Sequence, residues 1–166
     1  MRYKDILKFD SANGNGIRTS IWFCGCKFHC KNCFNSEIWD FNSGKLFTED
    51  VKKQVFEYLS NEHVKGLSIL GGEPLQQGEE MLQFVQEVKE KFPNKDIWMW
   101  TGYYIHELDD LQIKIISYVD YLVDGRFEYD KRDIRLYFRG SSNQTIWKKN
   151  ENGEFEKSEL NYEHEK

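Results

Sequence analysis

Three times along the chain a short apolar run gives way to a turn-forming loop and then to an amphipathic helical repeat. The first run, "IRTSIWF" (17–23), is β-prone and delivers the chain into a cysteine-rich loop. Beyond that loop, Val51, Val55 and Leu59 recur at helical spacing behind a threonine N-cap at Thr48 and two acids in the first turn. The second run, "GLSIL" (66–70), exits through "GGEPL" into "GEEMLQFVQEVKEKF", a helix predicted to turn Leu82, Val85 and Val88 inward. The third, "KDIWMW" (95–100), exits through "TGYY" into "HELDDLQIKIISYV", predicted helical over 106–119. "DYLVDG" (120–125) then supplies a further strand and turn.

Strands alternating with helices of this length imply right-handed crossovers and a mostly parallel sheet. In such sheets the loops leaving the C-terminal strand ends converge, so the cysteine loop, "GGEP", "TGY" and "VDG" should share one mouth. At 166 residues the chain is too short for an eightfold barrel of ~250 residues, which points to an α/β fold with an incomplete (β/α) barrel or an open, curved sheet. One domain is expected over 1–148. The stretch 149–166, rich in charge, is expected to be a hairpin and a solvated tail.

Composition narrows the partners. A hydrophobic content of 39% with 16% aromatics supports one core, and a net charge of -5 without a basic run argues against nucleic-acid binding. No apolar stretch approaches the ~18 residues needed to span a membrane. "MRYKDILKFD" lacks the apolar centre of a signal peptide, so a cytoplasmic location is expected. In a reducing compartment, clustered cysteines indicate metal or redox chemistry rather than a disulfide framework.

All four cysteines fall in "CGCKFHCKNC" (24–33). Cys26, Cys30 and Cys33 are spaced C-x3-C-x2-C, close enough for one loop to wrap three corners of a compact cluster. Cys24 lies two residues earlier. One reading is a zinc site completed by Cys24 or His29, although a zinc knuckle draws two ligands from a separate element and no further cysteine exists. The other is a four-iron cluster with one iron left open for a substrate.

C-x3-C-x2-C after an early strand, with "GGEP" after the next, resembles the radical S-adenosylmethionine superfamily. Within it, "NGNGIRTSIWFCGCKFHCKNCFNSEIW", "LGGEPL", "DIWMWTGY", "YLVDGRFEYDKRD" and "RGSSNQ" are similar in order and spacing to activating proteins of anaerobic ribonucleoside-triphosphate reductases. The resemblance implies a [4Fe-4S] cluster on Cys26, Cys30 and Cys33, with S-adenosylmethionine on its open iron. It implies a glycyl-radical activase whose partners are the large reductase subunit and a low-potential electron donor such as reduced flavodoxin. Gly71, Gly72 and Glu73 would face the methionine amino group, and Asn32, Cys33 and Phe34 the adenine side. Activation of a pyruvate formate-lyase type enzyme is the nearest alternative, and a zinc-binding interaction module a more distant one.

Other residues admit plainer roles. Arg18 and Asn35 flank the cysteine loop as braces or as groups near the reaction. Trp100 to Tyr103 would end a strand on the active edge. Asp124, Gly125 and Arg126 make a turn, and the Arg139–Gln144 loop fits docking of the reductase. His29, His63, His106 and His164 share no spacing and are expected at the surface.

Overall fold

Four parallel strands make the centre of the sheet: β2 (Arg18–Phe23), β4 (Gly66–Gly71), β5 (Asp96–Trp100) and β6 (Tyr121–Asp124). The computed structural model describes residues 1–161; His164 lies outside them. Antiparallel strands extend the sheet on both sides, β1 (Arg2–Asp10) and β3 (Lys45–Leu46) beyond β2, and β7 (Thr145–Lys149) and β8 (Phe155–Lys157) beyond β6. The order is β3-β1-β2-β4-β5-β6-β7-β8. The sheet is thus mixed, parallel at its centre where helices make the crossovers and antiparallel at its two flanks.

Helices α1 (Glu49–Leu59), α2 (Glu79–Lys91) and α3 (Asp110–Ile116) carry the crossovers. Thr48 caps α1 by accepting from Val51 N at 3.3 Å. On α2 the inward face is Met81, Phe84, Val85 and Val88, with Leu82 at its half-buried margin. The third helix is shorter than its apolar repeat predicts. Asp109 and Gln112 cap each other's backbone N–H at 2.8 and 3.0 Å, which starts the helix at Asp110, and the preceding Ile105–Glu107 closes as a separate 3-10 turn.

Residue alternation gives the sheet two unlike faces. Ile21, Phe23, Leu67, Ile69, Ile97, Met99 and Leu122 pack under the helices in the main core. Trp98, Val123 and Ile146 form a separate cluster with Trp100 and Phe138. Beside it lies a buried polar network. Arg18, with no exposed surface, donates to Ser68 Oγ at 2.7 Å and to the carbonyls of Asn15 and Leu67 at 3.0 Å, and pairs with Asp96 at 2.5 Å. Arg18 is therefore a brace. Asp10 accepts from Ser20 and Asn13, and Asn13 O from Ser68, so residues 10–15 are tied across the sheet. Among the described residues no helix is long and apolar enough to cross a membrane.

Candidate active site

The loops leaving β2, β4, β5 and β6 surround one cavity of about 430 Å³. Cys26, Cys30 and Cys33 line it. Cys24 does not: it is 1% exposed, its N–H donates to Arg2 O at 2.8 Å, and its sulfur lies against Gly44. The two cysteines separate at Gly25, whose φ of +107° turns the chain, with Phe41 packed where a side chain would be. His29 and Asn32 adopt positive φ within the loop and are exposed. The His29 ring stacks on Trp39 at 4.4 Å, and Asn32 is not part of the cavity wall.

Burial pushes the Cys26 thiol up, against the pull of backbone N–H groups of Phe28 and His29. Burial and the neighbouring Cys33 push Cys30 up, while Phe127 N–H and the Arg126 charge oppose. Cys33 Sγ accepts from Asn35 N at 3.4 Å. Three thiols, each met by backbone donors, form a donor set suited to thiolates bound to iron, whose binding displaces the proton. Among the described residues no three His, Cys, Asp or Glu side chains gather tightly enough for a single metal ion. The C-x3-C-x2-C spacing of the three thiols on one cavity fits a four-iron cluster.

Gly71 and Gly72 form the adjoining wall. A Cβ on Gly72 would lie 2.6 Å from Gly25 O and 2.8 Å from Phe23 O, so the glycine is required by the protein's own backbone. Glu73 N donates to Gly25 O at 2.7 Å and Asn35 Nδ2 to Gly71 O at 3.3 Å, which locks this loop to the cysteine loop. The Glu73 carboxylate, 1% exposed, accepts from Leu75 N at 2.9 Å, Thr101 Oγ1 at 2.8 Å and Gly102 N at 2.6 Å. Burial raises its pKa from 4.5 to about 7 against those three donors. Both oxygens are engaged, so Glu73 ties the β4 exit to the β5 exit.

Trp100, Thr101 and Gly102 also line the cavity, whereas Tyr103 packs on Phe28 at 4.7 Å. Gly125 lines it too. Asp124 is buried and accepts from Ile105 N at 2.8 Å, and Arg126 sits over the Phe28 ring at 4.6 Å while pairing with Glu107. Arg139, Gly140 and Gln144, expected in docking, form part of the wall. Phe34 stands at the mouth, 74% exposed, against Phe127 at 5.0 Å. Sequence reasoning missed Phe28, Phe127 and Phe138, which are apolar residues in polar loops, and Ala12 and Asn13, whose "SANGNG" context marks only a turn.

Residues 12–147 match the family described as a 4Fe-4S single cluster domain. Anaerobic ribonucleoside-triphosphate reductase-activating proteins of Haemophilus influenzae and Escherichia coli K12 are 41% and 38% identical over 150 residues, covering 88% of this chain and 97% of each relative. That of Enterobacteria phage T4 is 38% identical over 149 residues, 89% of this chain and 94% of its own. With three cysteines on one cavity and this likeness across nearly the whole length, the chain belongs to the family of anaerobic ribonucleoside-triphosphate reductase-activating proteins, built on a 4Fe-4S single cluster domain.

Proposed function

We propose that the chain is a cytoplasmic radical enzyme that places a glycyl radical on the large subunit of an anaerobic ribonucleoside-triphosphate reductase. The observation that carries this reading is the segregation of thiols, three on the cavity and Cys24 behind it. Cys26, Cys30 and Cys33 would hold a [4Fe-4S] cluster and leave one corner for the amino and carboxylate groups of S-adenosylmethionine. Bound there, the cluster and cofactor would supply the one-electron cleavage of the sulfonium, and with it the 5'-deoxyadenosyl radical chemistry needed to remove a hydrogen atom from a glycine Cα.

The chain's own residues position and shield. In this reading the Gly71–Gly72 backbone faces the methionine moiety, held by Asn35 and Glu73, and Phe34, Asn32 and Cys33 border the adenine side. Trp100, Phe127 and Phe138 give the cavity apolar walls that exclude water from a reactive intermediate. The four parallel strands whose exit loops ring this cavity support an incomplete barrel of the radical S-adenosylmethionine type over 1–148. The charged segment 149–166 begins at the hairpin that places β8 on the sheet edge. The electron donor is taken to be a low-potential protein such as reduced flavodoxin.

The test is anaerobic reconstitution with iron and sulfide, followed by S-adenosylmethionine, a reductant and the reductase. A glycyl radical signal on the large subunit, with 5'-deoxyadenosine formed alongside, is expected. A cluster-loaded protein that yields neither would overturn the reading.

A further inference from the structure

Twenty residues, 125–144, join β6 to its antiparallel neighbour β7. Two to five suffice for such a link, and connections this long are usually functional. This one is held in place. Gln144 accepts from Gly140 N at 2.8 Å and Ser141 N at 3.1 Å and donates to Gly125 O at 2.9 Å, while Asn143 donates to Arg126 O at 2.7 Å. Within this braced loop Ile134 is 100% exposed.

Its position is set by the mouth of the cavity. Asp133 N donates to Gly140 O at 3.2 Å, which puts Ile134 one residue from a contact with Gly140. Gly140 lines the cavity and lies beside the rings of Phe127 and Phe34. Phe34, 74% exposed, Phe127 and Gly140 thus meet at the mouth, and Ile134 stands out into solvent beside them, next in the chain to the residue bonded to Gly140. The two rim segments, 27–35 and 126–140, carry seven Lys and Arg against three Asp and Glu, in a chain whose net charge is -5.

We propose that Ile134 and the surrounding cationic rim seat the glycine-bearing loop of the reductase, an extended segment with an apolar side chain near the glycine and acidic flanks. The inference rests on the activase reading, in which the hydrogen donor is a protein segment that must come to this mouth. Ile134 fills a pocket on the partner, and the cations orient the approach. Because the loop is braced before the partner arrives, docking does not have to order it.

The test uses cluster-loaded enzyme with dithionite as reductant, comparing wild type, Ile134→Asp and a control, Ile113→Asp, which changes an isoleucine 52% exposed on α3. Surface substitutions of this kind leave stability nearly unchanged. Ile134→Asp is expected to form 5'-deoxyadenosine at the wild-type rate without partner, yet to need about tenfold more reductase for half-maximal glycyl radical. Ile113→Asp should match wild type in both. Wild-type dependence on reductase in Ile134→Asp would overturn the proposal. So would a defect that appears only when a low-potential protein donor replaces dithionite, which would assign the surface to that donor, or a wild-type dimer that size-exclusion chromatography shows dissociated by the substitution, which would assign it to a second copy. Failure of wild type to put a radical on the reductase at all would overturn the activase reading itself.

Discussion

Gly72→Ala adds one methyl group, and the structure says where it goes. The new Cβ would sit 2.6 Å from Gly25 O, against an ordinary contact distance of at least 3.4 Å, so the β4 exit and the cysteine loop must part by about 0.8 Å. The neighbouring bond from Glu73 N to Gly25 O, 2.7 Å long, would stretch to roughly 3.5 Å and be lost. Loss of that bond costs about 1 kcal/mol, and the overpacking about 1–3 kcal/mol more. For a chain of this size the sum lowers the melting temperature by roughly 5–15 °C. The assay is a thermal melt of the reconstituted protein under argon, with iron content measured in parallel. Stability and iron content should fall together, because the displaced partner is the loop that carries Cys26. A variant with the wild-type melt and full iron that has lost only cofactor binding would refute this reasoning and place the steric demand on the cofactor side.

Glu73 titrates in the folded chain at about 7 instead of 4.5, so the folded state holds an extra proton between those values and stability falls as pH rises through that window. Urea unfolding of the cluster-free protein should show a loss of about 2–3 kcal/mol from pH 5 to pH 8 that is absent in Glu73→Gln; parallel pH profiles would dismiss the effect. Cys26→Ala, Cys30→Ala and Cys33→Ala should each lose cluster iron and cofactor cleavage, whereas Cys24→Ala keeps both, as iron assay and 5'-deoxyadenosine yield will report. Arg18→Met leaves Asp96 unpaired at the start of β5 and should cost about 3–5 kcal/mol in chemical denaturation, an outcome contradicted by a near-neutral change.

The parallel centre was legible because its strands read as short apolar-rich runs between turn signals and its helices keep a clean period. The flanks were not. In "RYKDILKFD" Leu7 and Phe9 remain exposed, so β1 shows no alternation to read, and β3 is only two residues long. The cysteine spacing identified the loop, and the structure separates Cys24 from the other three through a backbone turn at Gly25 that spacing alone cannot express. Glu73 shows the limit most clearly. Its chemistry suggested a ligand for an ammonium, but both its oxygens are consumed by Leu75, Thr101 and Gly102, residues whose approach depends on the packing of separate strands. Arg139 and Gln144 lie on the cavity wall because the long β6–β7 connection folds back over it, a path that a polar sequence does not reveal.

The polar layer around Arg18, closed over by residues 10–15, gives the cavity a solid floor on that side. Ser68, Trp98 and Arg18 have no exposed surface, so nothing passes through the floor. In the proposed reading, a large protein seated at the mouth would stand between this floor and solvent, so a small molecule bound before the partner arrives would be held between the two.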